Sequence, residues 1–219
     1  MIKYFLIAFS CALFAVSCNS AAGNKVEAGD AQDVVATLGA QSYVLDKDQS
    51  ILKWKGFKPG GDNHGSLGIE SGSLSIDGST LVSGSFVLDM NAIVCESLTE
   101  AEGASKLVEH LHSADFFDVE KFPTGKFTIT NVEELSKDAN SALVKISGNL
   151  ELKGIEKNIT FEAQVVKEGD MFTATVPAFT IDRVQWGINY GSKNIFKDIK
   201  DKFINDEMEI SMVIVAKIA

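Results

Sequence analysis

Cysteine is scarce in this chain, which has three cysteines in 219 residues. Cys11 and Cys18 lie in and directly after an apolar N-terminal segment, so Cys95 is the one cysteine left for the folded part. A single cysteine cannot form an internal disulfide, and the hydrophobic core must therefore stabilise the fold. Cys95 ends an apolar run and is expected to pack as a small apolar residue, with a reactive thiol as the alternative.

Arginine is scarcer still, because Arg183 is the only arginine among 20 basic residues. Acidic residues number 30, which gives the chain a formal charge of −10 at pH 7. Binding to the phosphate backbone of a nucleic acid requires clustered cations, so a nucleic-acid partner is excluded. Overall charge would also not bring the chain to an anionic membrane.

Catalytic and metal-binding motifs are missing as well. The sequence has no Gly-x-Ser-x-Gly segment, and no Gly-Lys-Ser/Thr follows the pair Gly60-Gly61. His110 and His112 would point about 200° apart on a helix and could not bind one metal from the same face. His64 is the only other histidine, so a zinc site would need an extended pair and is disfavoured. The sequence therefore predicts neither an enzyme nor a metal site.

The N-terminus resembles a secretory signal. Lys3 precedes an apolar run from Tyr4 to Val16, which is too short to span a bilayer. The following Ser17-Cys18 resembles the end of a bacterial lipobox, which predicts removal of residues 1–17 and lipidation of Cys18. Ordinary secretion with cleavage near Ala21 or Ala22, without a lipid, is the alternative.

The lipid anchor predicts the location of the protein and its attachment to a membrane. We expect it in the cell envelope, on the periplasmic side or at the cell surface. Residues 18–41 are small and polar, which predicts a lipidated cysteine followed by a flexible tether. The folded domain is expected at 42–219.

Apolar and polar residues alternate along most of this domain, which is typical of antiparallel strands with one buried face. Glycine-containing turns at 77–78, 153–154 and 169–170 separate the alternating runs. The predicted strands are 42–47, 50–58, 65–77, 80–92, 124–134, 141–153, 157–168 and 171–182, with 206–218 as a ninth or closing strand. The first two are also compatible with one interrupted strand.

Two segments break the alternation. Residues 99–114 predict a helix that begins with a capping box from Thr99 to Glu102. Residues 184–204 predict a glycine loop with a short helix. The other connections are short, which favours an up-and-down barrel or a sandwich, and only closure into a barrel leaves no exposed edge. The predicted fold is an all-β antiparallel barrel of about eight strands with one or two short helices.

Five motifs follow one another along the domain. They are Tyr43–Asp46, the pair His64-Gly65, the run from Leu111 to Pro123, the strand and turn Gly148–Gly154, and the corner Ile181–Gly187. In this order they resemble the YceI family of lipid-binding or polyisoprenoid-binding, lipocalin-like proteins over residues 42–219. The glycine-rich segment 55–63 and the N-terminal lipidation motif depart from the common family pattern.

The resemblance implies a lipocalin-like barrel that holds a long isoprenoid chain, such as a quinone tail or a polyprenyl lipid. Such a ligand needs an apolar tube and no catalytic group, so the implied function is a carrier or store, with no cofactor beyond the bound lipid or quinone. The candidate ligand-binding residues are Trp54, Phe86, Leu88, Met90, Phe116, Phe117, Phe127, Ile146, Phe161, Phe172, Phe179, Arg183 and Trp186. Further lining candidates are Leu74, Ile76, Ile129 and Val144. The alternative is a barrel filled by its own side chains that acts through protein contacts, and a homodimer is a further candidate assembly.

The segment around Phe116 and Phe117 is expected to cap one end of the barrel, since it is too apolar for a solvated loop. Arg183 would anchor this cap through an ion pair with Asp115 or Asp118, because a guanidinium binds a carboxylate through two parallel hydrogen bonds. Contact of Arg183 with a pyrophosphate or quinone head group is the alternative.

Overall fold

The computed structural model describes residues 24–34, 39–199 and 202–219. The predicted signal peptide and the lipidation site Cys18 lie outside these residues. Within them, no helix has the length and apolar character needed to cross a bilayer.

The described residues form one sheet, one α-helix and two 3₁₀ turns. The strands are β1 (Asn24–Lys25), β2 (Gly29–Asp30), β3 (Gln41–Leu45), β4 (Ile51–Lys58), β5 (Gly61–Asp77), β6 (Thr80–Cys95), β7 (Thr124–Lys137), β8 (Ser141–Leu152), β9 (Ile155–Glu168), β10 (Met171–Asp182) and β11 (Glu207–Ile218). The helix α1 spans Ala104–His112, and the 3₁₀ turns span Glu100–Glu102 and Arg183–Trp186.

The sheet closes into an antiparallel barrel. From β5 to β11 each strand pairs with the next strand along the chain. Strand β11 then pairs with both β3 and β4, and both of these pair with β5, so the two short strands together form one interrupted strand. This confirms the predicted eight-stranded antiparallel barrel.

The two ends of the barrel differ. At one end, which we call the hairpin end, tight turns join β5 to β6 and β9 to β10, and Gly78 and Gly169 adopt the positive φ that such turns require. The two long connections, 96–123 and 183–206, both lie at the opposite end, which we call the capped end. Helix α1 belongs to the first connection and the Arg183 corner to the second.

In the described part of the chain, the two irregular segments contain less helix than predicted. Thr99 and Glu102 form the expected capping box, with the Glu102 carboxylate 2.8 Å from both the backbone nitrogen and Oγ1 of Thr99. These hydrogen bonds lower the pKa of Glu102. Gly103 follows at a φ of 98°, which ends the 3₁₀ turn and delays the α-helix to Ala104. Between 184 and 204, the described residues form 3₁₀ turns and loops in place of the expected short helix.

Strands β9 and β10 separate toward the capped end. Their pairing stops at Gln164 and Thr175, shortly before Pro177, which has no N–H to continue a ladder. The N-terminal segment fills the gap, because β1 pairs in parallel with β10 at Phe179 and β2 pairs antiparallel with β9 at Asn158. We call this gap the seam, and residues 24–32, which cover it, the strap.

The strap makes specific contacts with the barrel. Val26 is 8 % exposed, belongs to the hydrophobic core, and donates its N–H to the Thr180 carbonyl at 2.8 Å. The buried Asn149 accepts the Gln32 N–H on Oδ1 at 3.0 Å and donates Nδ2 to the Gln32 carbonyl at 2.8 Å. This side-chain amide therefore pairs with the strap backbone as a neighbouring strand would.

Within the expected flexible tether at 18–41, residues 24–32 are ordered against the barrel. Small polar residues usually indicate such a tether, but the seam presents unpaired backbone groups of β9 and β10 that need partners. Residues 24–32 supply these partners, and the order in this segment thus comes from the barrel and not from the local sequence.

Substitution of Val26 tests whether the strap stabilises the fold. Val26→Asp buries a carboxylate in the seam without an evident partner, and we expect it to lower the free energy of unfolding by about 2–4 kcal/mol. Val34→Asp is the control, because Val34 is 52 % exposed just beyond the strap. Urea denaturation followed by tryptophan fluorescence gives both values. Equal stability of the two variants would contradict a structural role for the strap.

Candidate ligand cavity

The barrel contains an apolar cavity of about 160 Å³ that extends toward the capped end. Its wall is formed by inward side chains of β4 to β11 and is completed by residues of both long connections. Of the candidate ligand-binding residues, those on the wall are Trp54, Phe86, Leu88, Met90, Phe116, Phe117, Phe127, Ile146, Phe161, Phe179 and Arg183. Leu74 and Ile129 lie on it as well.

Two candidate ligand-binding residues lie elsewhere. Phe172 is fully buried near the hairpin end, where its ring meets that of Tyr43 edge-on at 6.3 Å. Trp186 is also fully buried and donates its Nε1–H to the Leu150 carbonyl at 2.9 Å. Ile76 and Val144, two of the further lining candidates, pack in the core without reaching the cavity wall. The alternation along a strand shows which side chains point into the barrel. It does not show whether they lie in the filled part of the barrel or beside the cavity.

The alternation of apolar and polar residues also predicts cavity-wall residues that are not among the candidate ligand-binding residues. Five further residues alternate in phase with the candidate ligand-binding residues, so they point into the barrel and line the cavity. They are Leu150, Leu152, Ile159, Ile210 and Met212. The wall residues Ile188, Ile204 and Asn205 belong to the 183–206 connection, where no period exists to mark them.

Glycines make room for large rings along the inner wall. A Cβ on Gly72 would lie 2.3 Å from the Phe86 ring, and a Cβ on Gly148 would lie 2.3 Å from Cζ of Phe127. Both separations are far below van der Waals contact, so each ring lies against a glycine backbone and not further inside the barrel. The glycines thereby leave part of the interior unfilled.

Three aromatic rings form a continuous part of the wall beside the seam. The Phe161 ring stacks on that of Phe179 with centroids 4.9 Å apart and planes inclined by 12°, and it lies 5.6 Å from the Phe127 ring. Phe161 belongs to β9 and Phe179 to β10. The stacked pair therefore bridges the two strands inside the barrel, where the strap fills the gap between them.

The Phe-Phe segment lies at the capped end. Phe116 is 7 % exposed and Phe117 is half-buried, and both contribute to the cavity wall. The Phe116 ring contacts His110 at 5.1 Å and Tyr190 at 5.5 Å between centroids. The segment therefore joins α1 to the 183–206 connection.

Arg183 organises this end through backbone carbonyls. Its side chain is 3 % exposed; Nε donates to the Asn205 carbonyl at 3.1 Å, Nη1 to Ile188 at 2.6 Å and Nη2 to Ile204 at 3.1 Å. Burial lowers the pKa of Arg183, while the Asp206 carboxylate, 3.6 Å from Nη2, acts in the opposite direction. A guanidinium nevertheless stays protonated in proteins, so this corner contains a buried positive charge.

The observed partners of Arg183 differ from those expected. Its ion pair is with Asp206, whereas Asp115 lies 3.7 Å from Nε2 of His110. The guanidinium meets the cap through the Phe116 ring, whose centroid is 5.7 Å from Cζ. The cap is thus anchored by a cation–π contact and not by the expected ion pair with an acid of the Phe-Phe segment.

The remaining candidates form no shared chemical site. Among residues 24–34, 39–199 and 202–219, no three His, Cys, Asp or Glu side chains are grouped for metal binding. His64 has its Nδ1 2.9 Å from the Asp62 carboxylate. Cys95 is half-buried, and its sulfur lies 3.6 Å from the Ser97 hydroxyl.

Comparisons with known proteins agree with this architecture. The YceI-like domain profile matches residues 43–216. Protein YceI of Salmonella arizonae and a UPF0312 protein of Enterobacter sp. strain 638 are each 40 % identical over 62 residues, which is 28 % of this chain and 30 % of each relative. The chain thus matches less than a third of the length of these relatives.

Two solved structures share the fold at low sequence identity. Burkholderia cenocepacia BcnA superimposes with a TM-score of 0.62 at 17 % identity, covering 79 % of this chain and 99 % of its own. A polyisoprenoid binding domain from Saccharophagus degradans gives 0.61 at 14 % identity, covering 82 % and 99 %.

Substitution of Arg183 by lysine tests the role of its planar group. Arg183→Lys keeps the positive charge, but a single ammonium group cannot donate to all three backbone carbonyls that the planar guanidinium binds. We therefore expect the free energy of unfolding to fall by about 2–4 kcal/mol. Lys145→Arg, at an exposed ion pair with Glu133, should change stability by less than about 0.5 kcal/mol. Chemical denaturation of both variants provides the comparison. Unchanged stability of Arg183→Lys would show that the corner does not depend on the guanidinium.

Substitution of Gly148 tests whether the glycines maintain the cavity. Gly148→Ala should push the Phe127 ring inward, destabilise the fold by about 1–3 kcal/mol and weaken binding of a fluorescent farnesyl probe. Gly61→Ala is the control, since a Cβ there meets nothing within 4 Å. Urea denaturation and probe titration are the measurements, and undiminished probe binding by Gly148→Ala would refute this role of the glycine.

Proposed function

The chain belongs to the YceI-like domain family, and we propose that it holds a long-chain isoprenoid, or another apolar lipid, inside its barrel in the cell envelope. The observation that carries this proposal is a cavity with an almost entirely apolar wall, closed at one end by packed side chains and covered at the other by the Phe-Phe segment. The Saccharophagus degradans domain of the same fold is described as polyisoprenoid-binding.

The size of the cavity limits how a ligand can occupy it. A volume of about 160 Å³ is close to that of an engineered apolar cavity of about 150 Å³ that stays dry and binds benzene. A longer chain therefore requires side chains to move. The adaptable residues Met208 and Met212 lie on the wall, and the half-buried Phe117 lies at the end from which a tail would enter.

Burial of the tail supplies the binding energy. An isoprenoid tail that removes about 400 Å² of apolar surface from water gains about 10 kcal/mol at 25 cal/mol per Å². Loss of translational and conformational freedom offsets part of this gain. No titratable side chain inside the cavity is needed, and the protein acts as a carrier or store and not as an enzyme.

Arg183 contributes to this function as a structural residue. It lies on the cavity wall, but three of its five donors bind backbone carbonyls and it also faces Asp206. A head group would compete with these partners for the guanidinium. In this proposal the head group therefore stays at the capped end outside the Arg183 corner, and the apolar tail fills the barrel.

The proposed location in the envelope rests on the sequence of the N-terminal segment. Lipidation of Cys18 after removal of residues 1–17 would attach the protein to a membrane, where apolar lipids are available. A homodimer remains a proposal of the same kind. Mass spectrometry of the full-length protein from its own host tests the lipid on Cys18, and an unmodified Cys18 would contradict membrane attachment by this route.

A ring placed inside the cavity should block ligand binding. Ala174 is buried on the cavity wall, while the next residue, Thr175, is exposed on the outer face of the same strand. We expect Ala174→Phe to weaken binding of a fluorescent farnesyl probe at least tenfold, because the new ring occupies the space of the tail. Thr175→Phe, which adds the same ring outside, should bind normally.

The identity of the ligand is determined by organic extraction of the full-length protein from its own host, followed by mass spectrometry. An isoprenoid or quinone in the wild-type extract that is depleted in Ala174→Phe supports the proposal. An extract without apolar lipid, together with equal probe binding by both phenylalanine variants, would refute it. Circular dichroism of each variant verifies that the barrel is folded.

A further inference from the structure

The 183–206 connection exposes apolar side chains at the capped end. Tyr190, Ile195 and Phe196 are 43 %, 43 % and 50 % exposed, although side chains of this kind are usually buried. Ile195 and Phe196 are adjacent, and the backbone N–H of Phe196 donates to the Ser192 carbonyl at 2.8 Å, which forms a local turn. We use the name rim patch for the three apolar residues Tyr190, Ile195 and Phe196 together with Lys193, Lys197 and Lys202.

The charge of the rim patch is opposite to that of the chain as a whole. Among residues 189–199 and 202–204, the charged side chains are three lysines and one acid, Asp198. The chain as a whole carries a formal charge of −10. A local excess of lysine beside exposed aromatic and aliphatic side chains is the combination that binds the surface of an anionic bilayer.

The rim patch is fixed to the cavity entrance. Tyr190 packs against Phe116, with ring centroids 5.5 Å apart, and Gly191 accepts the N–H of Ile204 on its carbonyl at 2.8 Å. Ile204 lies on the cavity wall, and its own carbonyl binds Arg183. A surface that touches the rim patch therefore lies beside the opening through which a ligand would pass.

The first described residue of the chain lies in the same part of the barrel. Asn24 pairs with Phe179, four residues before Arg183. Five residues lie between Cys18 and Asn24, and the six Cα–Cα steps that they make span at most about 20 Å. If Cys18 carries the lipid, as proposed above, the bilayer must lie within this distance of the seam.

We propose that the rim patch is a membrane-contact site that seats the capped end of the barrel on an anionic phospholipid surface, so that an apolar ligand passes between bilayer and cavity without crossing water. Ile195 and Phe196 enter the interface between head groups and acyl chains, and Lys193, Lys197 and Lys202 pair with lipid phosphates. The contact itself requires only the rim patch and the bilayer, whereas the transfer step rests on the proposed function.

The contact is tested by hydrogen–deuterium exchange of the full-length chain on vesicles. Vesicles of phosphatidylcholine with phosphatidylglycerol should slow amide exchange in residues 189–199 about tenfold, and vesicles of phosphatidylcholine alone should slow it less, because the lysines contribute through charge. Ile195→Ser/Phe196→Ser should lose this protection. The N-terminus is the same in every variant, so its contribution to membrane attachment cancels.

Two matched controls separate the rim patch from general surface effects. Val44→Ser/Leu135→Ser removes two apolar side chains that are 51 % and 40 % exposed on β3 and β7, and it should keep the protection of 189–199. Lys193→Gln/Lys197→Gln should reduce protection on the anionic vesicles more than Lys47→Gln/Lys126→Gln does. Equal protection in all variants would overturn the proposal.

Ligand transfer gives a second, independent readout. The rate at which a fluorescent farnesyl probe moves from anionic vesicles to the protein should fall about tenfold in Ile195→Ser/Phe196→Ser, while its equilibrium affinity in detergent stays unchanged. An unchanged rate would overturn the role of the patch in transfer and leave the cavity function intact. If the wild-type chain does not bind the probe at all, the proposed function is refuted. The hydrogen–deuterium exchange experiment would still show whether the rim patch contacts the membrane.

Self-association is the competing use of such a patch. If wild-type protein without vesicles shows twice the monomer mass by light scattering, and Ile195→Ser/Phe196→Ser abolishes the larger species, the rim patch is an interface between two copies and the membrane proposal is overturned. A monomer mass for both proteins, combined with vesicle-dependent protection, supports the membrane contact.

Discussion

A buried guanidinium determines the shape of the capped end. Burying a charge without partners costs several kcal/mol, and Arg183 avoids most of this cost by donating to three backbone carbonyls that come from both ends of one long connection. These bonds hold the two ends of the connection, at Ile188 and at Ile204 and Asn205, to the same side chain at the barrel opening. The same side chain meets the Phe116 ring, so one residue links both long connections and with them the cavity entrance.

The interior is divided into a filled part and a hollow part by the size of inward residues. Toward the hairpin end, Tyr43, Ile76, Val144 and Phe172 pack into a solid layer. Farther along the barrel, glycine takes the inward position beside a phenylalanine, and the ring lies flat against the wall. The two alternatives of a hollow barrel and a solid one therefore both describe part of the same molecule. The hollow part adjoins the capped end.

The barrel could be predicted from the sequence, because alternation of apolar and polar residues directly reflects which face of a strand is buried. Strand number, the interrupted first strand and most of the cavity wall followed from it. Phe172 lies away from the cavity wall because the alternation reports only the side of the sheet and not the position along the barrel axis. Trp186 belongs to a 3₁₀ turn, where no alternation applies. The pairing of Arg183 with Asp206 was missed because contacts made by an irregular connection leave no periodic signal.

The order of the strap was missed for a related reason. Small polar residues between 24 and 32 carry no sign of their partners, which lie far away in the chain. Their structure depends on the divergence of β9 and β10 near Pro177, a feature that becomes visible only when the barrel is assembled. Tertiary context thus overrides the local preference for a flexible tether.

The position of the strap has a consequence for the order of events in folding. Gln32 and Asn149, which join strap and barrel, are 117 residues apart in the chain. The strap precedes β8, β9 and β10 in the chain, and its binding surface does not exist until these strands have paired. Contacts between residues that are far apart in the chain form late in folding. The chain between them must first lose the conformational entropy of a long loop. Closure of the seam is therefore expected late in folding, after the strands on both sides of it have paired.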